Sequence, residues 1–288
     1  MLRPVPALVA SLAALAFPAA APAAAVKVTD GVQYGTGQVG APEAAQAPLL
    51  LDLYGPAKRA SGRRPVVILI HGGGFRQQTR KDPGIVRIAR GLAGRGIVAA
   101  SIDYRLLPQN PAPSSRVAHL TAAMPDQPLF RAVSAAVDDT LTAIDYLKSH
   151  AASLGIDPGR LGLVGSSAGA ITANHVAYAL DDHGIARPKV AFVGSLWGAV
   201  LVPPGAKQLD RGEAPLFAVH GTADTTLPVR NSDDLVARAR AQGVHGEYLR
   251  IRGGKHGYGP SRFFTAKVVG RETPFDRLLD FATARLKP

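Results

Sequence analysis

The chain has 288 residues, 47% hydrophobic and 19% charged, a globular composition that excludes a disordered or fibrous protein. It contains no cysteine, which excludes disulfides, thiol nucleophiles, thiolate metal sites and a lipid-bearing cysteine. Its 33 Lys and Arg against 21 Asp and Glu give a net charge of +12. The basic residues are scattered, with no block of five or six and no zinc-finger or RNA-binding pattern, so nucleic acid is not expected as a partner.

Residues 1–25 read as an export signal: Arg3, a small apolar run, then Pro22-Ala23-Ala24-Ala25 as a cleavage region. Pro4, Pro6 and Pro18 and the shortness of the run argue against a membrane span. The expectation is a secreted or periplasmic bacterial protein whose residues 26–288 form one domain.

A strand-like stretch over 26–34 precedes a strand over 49–54, which Gly55-Pro56 stops. Residues 65–70 are continuously apolar and β-branched, the mark of a central parallel strand buried on both faces. A helix follows over 84–95 and a strand over 97–103. The stretch 107–130 is rich in Pro, Ser and Ala and is expected as a loop or small lid. Val133, Val137, Leu141, Ile144 and Leu147 recur at steps of three and four, predicting a long helix over 129–154. Strands are then expected over 161–164, 190–193, 216–220 and 247–251, and helices over 170–180, 232–242 and 275–286. Alternating strands and helices predict an α/β fold with a mostly parallel sheet covered on both faces.

Gly165-Ser166-Ser167-Ala168-Gly169 matches G-x-S-x-G between a predicted strand and a predicted helix. In such a turn the central Ser is strained and exposed at the carboxyl edge of the sheet, and the flanking glycines let strand and helix approach. Ser167 is the candidate nucleophile. His71-Gly72-Gly73-Gly74 follows the 65–70 strand; the amides of its three glycines, with that of Ala168, are candidate donors to a developing oxyanion. The loop lacks the Lys and Ser or Thr of a phosphate loop and the G-x-G-x-x-G of a dinucleotide site.

A serine hydroxyl needs a base, and the base a carboxylate. Of eight histidines, His256 is best placed, in a glycine-rich loop past the last strand. His71 and His220 read as packed structural residues. Asp224 follows the strand over 216–220 at the same sheet edge, whereas Asp210 and Glu213 precede it. The order Ser167, Asp224, His256 is that of the Ser, Asp, His triads on this kind of sheet. Phe75, Trp197 and Tyr258 are candidate substrate-binding residues by their closeness to these loops. No histidine pair has ligand spacing, so no metal is expected.

With these motifs and Asp103-Tyr104-Arg105-Leu106, the chain from about residue 49 to 286 resembles the α/β-hydrolase superfamily. Within it the likeness is to serine carboxylesterases and lipases with a His-Gly-Gly-Gly loop, in the manner of hormone-sensitive-lipase-like or feruloyl and acetylxylan esterases. The resemblance implies hydrolysis of small or polymeric carboxylic esters without a cofactor, with Gly73, Gly74 and Ala168 as the oxyanion donors. A secreted polyester depolymerase and a peptidase or amidase of the same fold stay open as alternatives. Two departures stand out: Ser166 occupies a position commonly Asp, and the short stretch between Trp197 and Pro215 leaves little room for a large lid.

Overall fold

The computed structural model describes residues 25–40, 43–58, 62–202, 208–258 and 262–287. The expected export signal falls, but for Ala25, outside the described residues. At the centre is one eight-stranded sheet in the order β1-β2-β4-β3-β5-β6-β7-β8. Its strands are β1 (Val26–Val39), β2 (Ala45–Pro56), β3 (Arg64–Ile70), β4 (Val98–Ile102), β5 (Ile156–Ser166), β6 (Phe192–Leu196), β7 (Leu216–Gly221) and β8 (Gly246–Ile251). β1 and β2, and β2 and β4, pair antiparallel; the remaining pairs are parallel. This is the expected mixed, mostly parallel sheet with helices on both sides.

β3 shows why its apolar run does not alternate. Val66, Ile68 and Ile70 point into the core beneath helices α3 (Pro128–Ser149), α5 (Ala168–Tyr178) and α6 (Arg230–Ala241). Val67 and Leu69 point into the opposite core beneath α1 (Pro83–Gly94) and α8 (Pro274–Arg285). Both faces of the strand are dry, as its composition demands. α1 starts where Asp82 accepts from the amides of Gly84 and Ile85, with Pro83 in the first turn.

Several boundaries differ from the sequence reading. β1 is longer than expected and forms a hairpin-like edge with β2. The predicted helix over 129–154 is two helices, because His150 leaves helical geometry (φ −101°, ψ 11°) and stacks on Tyr146; α4 (Ala151–Leu154) resumes beyond it. The stretch 107–130 holds two 3₁₀ turns, the short α2 (Ala118–Ala123) and the start of α3. Among the described residues no helix is long and apolar enough to cross a membrane.

All five parallel strand ends that matter for function meet at one edge. β3 runs into the glycine loop, β5 into Ser167, β6 into Trp197, β7 into Asp224 and β8 into the loop of His256. Ligands on open α/β sheets collect at this carboxyl edge.

Candidate active site

The turn after β5 holds Ser167 at φ 55° and ψ −115°, a conformation that side-chain-bearing residues avoid. The strain is imposed by close approach. A Cβ at Gly165 would run into the carbonyl of Gly169, and one at Gly169 into that of Ile70. Only glycine at both positions lets β5 turn directly into α5 beside β3. The Ser167 amide donates to Leu196 O (2.9 Å), tying the turn to β6.

Three side chains predicted from separate loops come together here. The Ser167 hydroxyl lies 2.9 Å from His256 Nε2, and His256 Nδ1 donates to Asp224 Oδ2 at 2.7 Å. A carboxylate only accepts, so the proton on Nδ1 leaves Nε2 free to accept from Ser167. Asp224 is held from several directions. Its Oδ1 accepts from the amides of Thr226 and Leu227, both at 2.9 Å, and Nε2 of buried His220 lies 3.1 Å from Oδ2. Burial alone would raise the Asp224 carboxyl, but the Leu227 and Thr226 amides and the His256 hydrogen bond outweigh it and hold it below the usual carboxylate value. His220 itself is anchored by Ser232 Oγ and Leu227 O, the packed role its sequence position suggested.

The glycine loop faces this trio. Gly73 and Gly74 both have positive φ (96° and 63°). Among the described residues the amides of Gly73, Gly74 and Ala168 donate to no protein acceptor. The loop is braced from below by the Asp103–Leu106 segment. Tyr104 OH donates to the carbonyls of His71 and Gly72, both at 3.0 Å, and its ring stacks on His71 at 4.3 Å. Burial lowers the His71 pKa, and its Nδ1 donates to Gly72 O, so this neutral imidazole is a spacer under the loop.

A cavity of about 630 Å³ opens in front of Ser167. Trp197 lines it, and its Nε1–H donates to Ser166 Oγ at 3.1 Å. Phe75 does not. The left-handed turn through Gly73, Gly74 and Phe75 (φ 60°) sends that ring into the core, where it is 3% exposed and meets Tyr104 edge-on. Tyr258 closes the short 3₁₀ turn that begins at His256; its side chain lies outside the described residues. The stretch 107–130 contributes no residue to the cavity wall among the described residues. The sequence reading missed the actual walls: Gln77 and Gln78 beyond the glycines, Ile85 and Ile88 of α1, and Phe263 and Phe264 of α7 (Arg262–Thr265). The one signal for the last pair was two adjacent aromatics in a segment otherwise without pattern. Among the described residues no group of three or more His, Asp or Glu is placed to hold a metal ion.

A family model described as alpha/beta hydrolase fold matches residues 130–227, and one described as BD-FAE matches residues 51–123. The chain is 30% identical over 141 residues to the non-reducing polyketide synthase pkbA of Emericella nidulans, covering 49% of this chain but 5% of that protein. It is 29% identical over 165 residues to esterase LipI of Mycobacterium tuberculosis, covering 55% of this chain and 42% of that one. The chain thus spans well under two thirds of these relatives. A propionate-bound thermophilic esterase of the Planctomycetes species Thermogutta terrifontis superposes with a TM-score of 0.64 at 23% identity, over 91% of this chain and 93% of that one. The fold is the α/β-hydrolase fold, and the chain resembles esterases built on it.

Proposed function

We propose that the protein is a serine hydrolase that cleaves carboxylic esters through an acyl-enzyme. The observation that carries this reading is the bridge made by His256 between Ser167 and Asp224 at 2.9 and 2.7 Å. His256 takes the Ser167 proton as the oxygen attacks the ester carbonyl. Asp224 keeps the ring in the Nδ1–H tautomer and stabilises the imidazolium that forms. The negative charge on the carbonyl oxygen is met by the free amides of Gly73, Gly74 and Ala168, and losing one such donor typically costs on the order of 10²-fold or more in rate. His256 then returns the proton to the departing alcohol, and water repeats the attack on the acyl group. Nothing in this sequence of steps draws on a metal or cofactor.

The test combines turnover with labelling. The protein is expected to hydrolyse p-nitrophenyl butyrate and to gain one fluorophosphonate adduct, mapped by peptide mass spectrometry to Ser167. Ser167→Ala should lose both. Equal labelling of the parent and that variant would overturn the assignment.

A further inference from the structure

The cavity in front of Ser167 has a largely apolar lining, and one arginine, Arg87, stands over the ring of Phe264 in its wall. We propose, on the basis of the esterase reading above, that its substrate is an ester whose apolar part fills the cavity and which carries an anionic group held at the rim. Ile85, Ile88, Leu196, Trp197, Phe263 and Phe264 supply the apolar walls. Trp197 and Phe263 meet edge to face at 5.7 Å, as do Phe263 and Phe264 at 4.9 Å, an aromatic lining that water solvates poorly.

Most of the wall comes from two segments, residues 72–91 and 252–267. Together these carry nine basic residues and a single acid, against 33 and 21 in the whole chain. The single acid, Asp82, spends Oδ1 on capping α1. Of the cations, Arg80 is committed to Asp52 and Asp103. Six others are exposed and have no carboxylate partner among the described residues: Arg76, Lys81, Arg87, Arg90, Arg252 and Lys255. Arg76, Lys81 and Lys255 neighbour Gln77, Asp82 and His256 of the wall along the chain, which brings their charge within a Debye length of the cavity whichever way the side chains turn. Arg87 is fixed there directly, its guanidinium 4.3 Å from the centre of the Phe264 ring. Elsewhere some exposed arginines face a carboxylate, as Arg116 faces Asp145, while others, such as Arg211 and Arg240, have none among the described residues.

Unneutralised cations around a low-dielectric opening attract anions strongly and hold them against water. A wholly neutral apolar ester gains nothing from them. A fully ionic one loses in the aromatic interior, because a charge there has no partner. An amphiphilic anionic ester satisfies both zones.

The proposal is tested with two matched pairs. One pairs p-nitrophenyl pentanoate with the mono-p-nitrophenyl ester of glutaric acid, which charges the acyl end. The other pairs phenyl butyrate with 4-carboxyphenyl butyrate, which charges the alcohol. The readout is the ratio of kcat/KM, anionic over neutral. In at least one pair it should fall about tenfold between about 0.02 M and about 0.5 M sodium chloride, as screening shortens the reach of the rim. At low salt the Arg87→Gln, Lys255→Gln double variant should lower the same ratio by about as much, and Arg87→Lys should keep it. Ratios in both pairs that ignore salt and the double variant overturn the proposal while leaving a Ser167-dependent esterase standing. Absence of any Ser167-dependent turnover, neutral esters included, overturns both readings.

Discussion

His256 and His175 stand on either side of the same turn, and each has both ring nitrogens hydrogen-bonded. His175 lies within α5, fully buried, with backbone partners only: Nδ1 donates to Ile171 O and Nε2 accepts from the amide of Leu201. Neither partner exchanges a proton, so the ring is a fixed neutral spacer. His256 lies on a loop at the cavity with a carboxylate on one nitrogen and a hydroxyl on the other. Satisfied hydrogen bonds are common to both regions. Proton-exchanging partners and an open face are what set the second apart.

The largest expected break in this contrast is at His256. His256→Ala should lower kcat/KM for p-nitrophenyl butyrate on the order of 10⁴-fold or more. Its unfolding midpoint should stay near the parent's, since the ring is on a partly open loop. A variant retaining a tenth of parental turnover would remove His256 from the chemistry. Asp224→Asn comes next, at on the order of 10³- to 10⁴-fold. The carboxamide fills the same space and still accepts from the Thr226 and Leu227 amides, but it no longer enforces the Nδ1–H tautomer. Steady-state rates beside circular dichroism separate that loss from misfolding.

A third charged region supplies the stability counterpart. Buried Arg105 donates to Asp139 through its amide, Nε and Nη2, reaches Asp138 at 3.2 Å, and caps the carbonyls of Gln38 and Ala112 with Nη1. This cluster pins β1 and the 107–117 stretch to α3, with no opening to the Ser167 cavity. Arg105→Leu strands two carboxylates in the core and should cost about 3–5 kcal/mol in urea unfolding. Activity per folded molecule should hold, the reverse of the His256 result.

The same distinction explains what was legible in the amino-acid sequence. β3 and the turn at 165–169 were readable because burial on both faces and steric crowding leave few residue types possible there. Ser167, Asp224 and His256 were readable because each follows a parallel strand at its carboxyl end. β1 was faint because it is an edge strand that exposes Lys27, Thr29 and Asp30. The break at His150 was hidden because the apolar period runs up to it, while the stacking on Tyr146 is a local event. Phe75 misled because nearness in sequence says nothing of direction once three residues in succession take positive φ. Phe263 and Phe264 wall the cavity from a four-residue helix, too short to leave a periodic signal.

The smallest effect concerns His175 and has the opposite pH logic from an ion pair. Burial pushes its imidazole down to about 4, from an ordinary value near 6.5. Between those values the unfolded chain binds the proton and the folded chain does not, so stability is full above about 6.5 and is lost as pH falls toward about 4. Protonation would turn Nε2 from an acceptor into a donor facing the Leu201 amide, two donors with nothing between them. From pH about 7.5 to about 4.5 this one group should remove roughly 2–3 kcal/mol. Urea titrations at the two pH values, on the parent and on His175→Gln, isolate it, because the carboxylates shared by both proteins cancel in the difference. The variant is expected to be less stable at pH about 7.5 but to show the shallower decline. Equal declines would mean that His175 takes up its proton as easily in the fold as outside it.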